Sequence, residues 1–252
     1  MNHWTHEWTE LRGPYGVRFA RTPEDREAAQ RLRFAVFSQE LGAIVEGGER
    51  ELDIDPIDEF ADHLMVYEKS TDRCVGTYRL AISEQVDDVG GFYSSRIFDL
   101  GILTTPVLGQ GIELGRACVD ADHRTRNVFR LLLRGIGAYW AHSNKRYLFG
   151  CGSVPIDCPS HASAVVTLID QEKWLDASIP VEPRSQYAPP QSQPSEPKDA
   201  PDIPALLSAY CSLGARLAAS PAYDPDFRTL DFFVLLDKEN VNERAYARYC
   251  KI

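Results

Sequence analysis

The sequence predicts one α/β domain over residues 1–252, a mixed sheet with helices on both of its faces. Three observations predict it. Short apolar, β-branched runs are interleaved with longer stretches whose apolar residues recur at helical spacing. The order of these runs is β-α-β-β-β-α-β-α and then, after a Pro-rich break, α-β. The composition, 44% hydrophobic and 25% charged over 252 residues, is that of a globule with enough chain for a full core. No run approaches the roughly 18 uninterrupted apolar residues of a membrane span. The opening MNHWTHEWTELRG carries Glu7 and Glu10 where a secretory leader is basic and then apolar, so a cytoplasmic protein is expected.

Apolar residues at 17–19 make the first strand. Thr22-Pro23-Glu24-Asp25 then reads as a helix start: Thr22 caps, Pro23 sits in the first turn, and two acids face the positive end of the dipole. Leu32, Val36, Phe37 and Leu41 continue at helical spacing, and Gly42 ends the run. Residues 43–61 have no period and are crowded with acids, which predicts a loop. Strands are expected over 63–68 and 74–82, joined by the turn Lys69-Ser70-Thr71-Asp72, and over 113–119. A long helix is expected over 128–143, a strand over 147–154, helices over 162–175 and 205–218, and an apolar strand over 229–236. Eight of the sixteen prolines fall within 180–204. Each removes a backbone donor, so this stretch reads as a solvated insertion. The chain beyond the insertion holds too little core to fold alone and should return to the first body.

The net charge of −10 argues against nucleic acid as a partner. Six cysteines and six histidines are scattered without zinc spacing, so free thiols and no metal are expected. One segment opposes the acidic trend: His123 to Arg146 holds six Lys/Arg and no acid, leaving −16 on the rest of the chain. Arg126, Arg130 and Arg134 share one helical face. Arg124 and Arg126 stand at the helix entrance, where free N–H groups favour an anion. Such a stripe either pairs with neighbouring acids or docks phosphate, on a cofactor or on an acidic carrier protein.

Asp53, Asp55, Asp58, Glu59 and Asp62 precede His63. They are either a solvated loop or a receptor for a cationic, amine-bearing substrate. Arg79, Glu113 and Arg116 lie inside apolar strand patterns, where a buried charge must be paired, as a structural ion pair or in an active-site cleft. Strict alternation puts Glu113 and Arg116 on opposite faces, so both reach one core only if a bulge intervenes.

Four blocks, Leu32-Arg33-Phe34-Ala35-Val36-Phe37, Asp55-Pro56-Ile57-Asp58 with Asp62-His63-Leu64, Gly76-Thr77-Tyr78-Arg79-Leu80 and Glu113-Leu114-Gly115-Arg116-Ala117-Cys118-Val119, resemble the GNAT-like acyltransferases. The branch includes ornithine lipid N-acyltransferases, N-acyl amino acid synthases and, more distantly, acyl-homoserine-lactone autoinducer synthases. Leu213-Gly214-Ala215-Arg216 and Asp224-Pro225-Asp226-Phe227 before an apolar strand look most like the ornithine lipid enzymes. The likeness covers about 17–236, sparing the Pro-rich insertion.

The resemblance implies a GNAT-like three-layer α-β-α fold. Its mixed, mostly antiparallel sheet would be splayed between two parallel strands that admit the pantetheine arm of an acyl thioester. It implies that Arg33, Phe37, Asp55, Asp58, Arg79, Glu113 and Arg116 surround the acceptor and acyl sites. On the chemistry, Glu113 is the general base for an α-ammonium. Asp55, Asp58 and Asp62, with His63 beside them, would hold the cationic acceptor or support that base. Arg33, Arg79 and Arg116 would fix these acids and the acceptor carboxylate. A backbone N–H of 113–119 would meet the oxyanion.

Acetyl-CoA-dependent relatives carry Arg/Gln-x-x-Gly-x-Gly/Ala. Here the stretch is Arg124-Thr125-Arg126-Asn127-Val128-Phe129, with both glycine positions replaced. That favours an acidic acyl carrier protein on Arg124, Arg126, Asn127, Arg130 and Arg134. No cofactor would be bound; acyl-ACP would be the co-substrate and acyl-CoA the alternative donor. Autoinducer synthases carry a Trp shortly after the first helix, whereas Leu41-Gly42 is followed here by Ala43. The expected reaction moves a fatty acyl chain, 3-hydroxy forms included, to the α-amine of an amino acid, ornithine first. Glycine, lysine, tyrosine or S-adenosylmethionine are the other acceptors, and a non-catalytic acyl-thioester-binding module is the alternative of another class. Because the product would be a membrane lipid, peripheral contact with a bilayer is also expected. Trp4, Trp8 and Leu11, close to one helical stripe, would cover the acceptor-side core or touch that bilayer.

Overall fold

A computed structural model describes residues 8–103, 105–156, 161–189 and 202–249. They form two compact units: the first comprises the chain up to 92, 112–145 and the residues from 244 onward, and the second comprises 93–111 and 146–243.

The first unit holds five strands, β1 (Glu10–Arg12), β2 (Tyr15–Phe19), β3 (Asp62–Glu68), β4 (Cys74–Ile82) and β5 (Gly111–Val119), in that order and each antiparallel to its neighbour. Two helices cover opposite faces, α1 (Pro23–Phe34) and α2 (Arg126–His142). Thr22 caps α1 as its sequence demands, its hydroxyl accepting from the Asp25 amide at 3.2 Å. Thr125 does the same for α2 toward Val128 at 3.4 Å. The first helix departs from expectation beyond Phe34: Ala35–Glu40 is a π-helical turn.

Helix α2 lies on the face bearing Leu64 and Gly76. A Cβ at Gly135 would stand 2.5 Å from Leu64, and one at Gly76 would stand 3.1 Å from Val128. On the other face, Leu32 and Val36 pack with Met65 and Cys118. Alternation along β3 therefore sends even-numbered side chains toward α2 and odd-numbered ones toward α1.

A register slip interrupts β4 and β5. Thr77 opposes Cys118 while Arg79 opposes Gly115, so β5 spends one residue more than β4 over this stretch. Arg116 lies in the bulge with φ 52°. This is the departure from alternation that lets Glu113 and Arg116 serve one face.

The second unit carries β6 (Tyr147–Pro155), β7 (Leu175–Asp176), β8 (Arg216–Ala218), β9 (Ala222–Asp224) and β10 (Thr229–Asp237). Strand β10 pairs antiparallel with β6, β8 and β9, and β8 pairs parallel with β7. Phe149 stacks on Phe233 with ring centroids 5.8 Å apart. Helices α3 (Ala162–Gln171) and α4 (Ala205–Leu213) are shorter than expected. Lys173 (φ 57°) and Gly214 (φ 109°) turn the chain out of them, so Leu175 and Leu217 are strand residues although their spacing is helical. Of the Pro-rich stretch, Ser185–Tyr187 form a 3₁₀ turn, and 190–201 lie outside the described residues.

Leu11 sits in a strand, 62% exposed, so it belongs to no helical stripe, and Trp4 lies outside the described residues. Cys74, Cys118, Cys151 and Cys211 are free thiols; Cys158 and Cys250 fall outside the described residues. Among the described residues no helix is long and apolar enough to cross a membrane.

Candidate active site

The acidic loop is a buried ionic cluster of the first unit. Asp55-Pro56-Ile57-Asp58 folds on itself. The Asp55 carboxylate accepts from the Ile57 amide at 3.0 Å, and Asp58 Oδ2 accepts from the Asp55 amide at 3.2 Å, a reciprocal cap on the turn Pro56–Glu59. The Asp53 amide donates to the Gln30 carbonyl at 3.1 Å, which ties the loop to α1.

Asp58 is the hub. Its carboxylate accepts from Arg33 Nη1 at 3.0 Å, from Arg33 Nη2, from Arg79 Nη1 at 2.9 Å and from Gln30 Nε2 at 2.9 Å. Arg33 Nη2 also donates to the Asp53 carbonyl at 2.6 Å. Its Nε lies 2.7 Å from Asp53 Oδ2, a close ion pair without an aligned hydrogen bond. Arg79 Nη1 lies 3.3 Å from Asp55 Oδ2. Arg116 closes the cluster, with Nη2 donating to Asp55 Oδ2 at 3.3 Å and Nε 3.2 Å from Asp53 Oδ2. Three guanidiniums thus interleave three carboxylates, all buried but the partly exposed Arg116, the pairing that buried charge requires.

Burial pushes the Asp58 carboxyl up, but Arg33 and Arg79 outweigh it and hold it far below the usual carboxylate range. Burial likewise works against the charge on Arg79, and Asp55 and Asp58 more than restore it. His63, level with Arg79 across the β3–β4 pair, is pushed down to about 4, first by burial and then by Arg33, despite the opposing pull of Asp58. Its Nε2 lies 2.9 Å from the Asp58 carbonyl.

Glu113 is buried at 3% exposure, opposite Ala81, one step along the same face from the Arg79–Gly115 pair, and it contributes to the field at Arg79. Arg33, Asp53, Asp55, Asp58, His63, Arg79, Glu113 and Arg116 therefore share the α1 side of the sheet. Asp62 does not. It faces α2, where its Oδ2 accepts from Tyr139 Oη at 2.8 Å and from Gln85 Nε2 at 3.0 Å. Strand parity between residues 62 and 63 is the signal that separates them. Phe37, on the π-turn, packs against the Leu32, Val36, Met65 and Cys118 cluster. Gln30 is the cluster member that sequence reasoning missed; its position on α1, three residues before Arg33, places both over one loop.

The arginine stripe is divided by its partners. Arg124 donates to Glu40 at 2.6 Å and Arg134 to Glu10, while Asn127 accepts from Arg12 Nε at 2.9 Å. Arg130 is half-buried, and Arg126 is exposed with no ion pair among the described residues.

Residues 32–134, which contain every charged member of the cluster, match the acetyltransferase (GNAT) domain. Nearly the whole chain is similar to proteins named L-ornithine N(alpha)-acyltransferase. It is 32% identical to the one from Rhizobium meliloti over 92% of this chain and 83% of that protein, and 32% identical to the one from Brucella abortus over 94% and 89%. The chain belongs to this family of GNAT N-acyltransferases. The acyltransferase also shares its fold with the AHL synthase LasI, at TM-score 0.53 and 11% identity over 94% of this chain and 97% of that one. The CoA-dependent acyl-homoserine lactone synthase MesI gives 0.50 and 14% over 92% and 94%. The fold is thus GNAT-like α/β, its strands mostly antiparallel with a parallel pair.

Proposed function

We propose that this acyltransferase moves a fatty acyl chain, 3-hydroxyacyl included, from the phosphopantetheine thioester of an acidic acyl carrier protein to the α-amine of L-ornithine. The observation that carries the proposal is the buried Asp/Arg cluster with Glu113 beside it. Three aspartates and three arginines balance, so Glu113 leaves the site with one net negative charge, the complement of an acceptor with two ammonium groups and one carboxylate. The names of the relatives support the acceptor.

Glu113 takes a proton from the α-ammonium, directly or through water. The freed amine attacks the thioester carbonyl, a C–N bond forms, and collapse of the tetrahedral intermediate breaks the C–S bond as the sulfur leaves and is protonated. The bulge at Arg116 leaves one residue of β5 outside the ladder, and a backbone N–H of this segment would meet the oxyanion. The carrier would dock on the exposed Arg126 and its neighbours Arg130 and Asn127, with the paired Arg124 and Arg134 at the margin. Peripheral contact with a bilayer would let the lipid product leave.

The test incubates the purified chain with acyl carrier thioesters, or the matching acyl-CoA, and a pool of amino acids, then weighs the products. N-acyl ornithine formed from the carrier is the expected result. Acylation of a different amino acid rejects the acceptor. Equal use of acyl-CoA with no effect of salt rejects the carrier.

A further inference from the structure

A hairpin holds the basic face of α2. Strands β1 and β2 turn at Gly13, whose φ of 59° suits glycine. From them Tyr15 Oη lies 3.1 Å from His123 Nδ1, Arg12 Nε donates to Asn127 Oδ1 at 2.9 Å, and Glu10 pairs with Arg134. Arg130 is three residues after Asn127 and four before Arg134, so it shares their side of the helix, between the two anchors.

The cations on this face are short of acids. Glu10 is taken by Arg134. Arg12 uses only its Nε: among the described residues its two terminal nitrogens have no hydrogen bond and no ion pair. Arg130 has no ion pair among them either, and its Nε is buried without an acceptor. Two guanidiniums thus flank one stretch of α2 with no carboxylate for either. They repel one another, and a buried donor without an acceptor is unfavourable, so an anion from outside would relieve both.

The surroundings favour a protein as the source of that anion. Guanidinium forks take carboxylate and phosphate alike. A lipid surface would need apolar anchors among the charges. Leu11 is the exposed large apolar residue of the hairpin, and it alternates with Glu10 and Arg12, so it points to the other side of β1. The described residues of α2 expose none. Charge without such anchors is what an acidic protein reads on a chain whose net charge is −10.

We propose that the β1–β2 hairpin is part of the carrier's docking surface, with Arg12 and Arg130 together receiving one carboxylate of the carrier. This rests on the carrier reading above and adds a second structural element and a shared contact to the helix. Asn127 acts by positioning: it holds Arg12 through Nε and leaves the terminal nitrogens for the partner.

The experiment measures KM for the acyl carrier thioester in Arg12→Ala, Arg130→Ala and the double variant, with thermal unfolding as the folding control. The same acyl chain on pantetheine, which lacks the carrier body, is the comparison donor. Each single variant should raise the carrier KM about five- to tenfold, and the pantetheine KM less than about twofold. The double variant should exceed the larger single effect by no more than about twofold, because the two arginines share one carboxylate. The salt dependence of the carrier KM should flatten in Arg12→Ala. A carrier KM within twofold of wild type in Arg12→Ala overturns the proposal, as does an equal rise with the pantetheine donor. Effects that multiply in the double variant also overturn it, since separate contacts multiply. So does weakened binding of Arg12→Ala to phosphatidylglycerol vesicles with an unmoved carrier KM, which assigns the arginines to a lipid surface. If Arg130→Ala does not fold, Arg12→Ala decides through its two KM values and its salt dependence. A wild-type chain that uses pantetheine and carrier thioesters equally, without an effect of salt, removes the carrier reading and this inference with it.

Discussion

His63 donates through Nε2 to the main-chain oxygen of Asp58, 2.9 Å away. A carbonyl only accepts, so the bond places a proton on Nε2, and burial, which pushes the pKa down to about 4, leaves Nδ1 with its lone pair near neutral pH. A side chain of β3 therefore holds the residue on which Arg33 and Arg79 converge, and it does so as a neutral ring.

That neutrality sets a pH dependence. The His63 pKa is about 4 in the folded chain and about 6.5 when unfolded. The unfolded state then binds the proton more readily, so this contribution to stability is full above the unfolded value and is lost as pH falls from about 6.5 toward 4. Urea unfolding at pH 7 and pH 5 should show a loss of about 2 kcal/mol from this group. His63→Gln, which keeps a donor for Asp58, should flatten that part of the profile. A slope that His63→Gln leaves unchanged would mean that the ring titrates alike in the folded and the unfolded chain.

Removing the hub should cost more than removing the carboxylate on the opposite face. Asp58→Asn leaves Arg33 and Arg79 buried beside one charge fewer, and about 3–5 kcal/mol of stability should go. Asp62→Asn keeps an oxygen for Tyr139 and Gln85 and should cost about 1–2 kcal/mol. Because the Asp58 carboxyl is held below its ordinary range, its contribution persists down to about pH 4 and is lost only below that. Equal losses in the two variants would contradict the ranking.

Glu113→Gln changes one atom of the side chain and should fold. On the proposed mechanism kcat falls about 10²–10⁴-fold with little change in unfolding temperature. Turnover close to that of the wild type would remove Glu113 from proton transfer.

Among the arginines, Arg126→Glu should raise the carrier KM, and the wild-type value should itself rise with salt. Arg134→Glu faces Glu10 and should lower stability, moving the unfolding temperature more than the carrier KM. Measuring both quantities for both variants separates docking from pairing, and a reversed pattern would move the docking surface elsewhere on α2.

Where local chemistry decides, the sequence is a good guide. Thr22-Pro23 starts α1, the polar turn after Glu68 joins β3 to β4, and the charges inside the apolar β4 and β5 patterns meet in one cluster. Its silences concern geometry that no single segment encodes. Trp174, Leu175, Ala215 and Leu217 extend a helical spacing, yet the chain has already turned at Lys173 and Gly214. The bulge at Arg116 enters a sequence reading only as a condition, because its φ lies on a residue with no preference for it. The acidic loop resembles a solvated face because its three cations come from α1, β4 and β5.

The π-turn of Ala35–Glu40 works as a phase shift written into the chain. One extra residue in a helical turn advances everything beyond it by about 100° relative to an uninterrupted helix. A relative whose helix runs straight would need one residue fewer to bring its aromatic to the place of Phe37. Alignments across this segment should therefore open a single-residue gap between positions 34 and 41. Grafting a loop from such a relative would have to respect that offset, or the acidic turn downstream would arrive on the wrong side of Arg33.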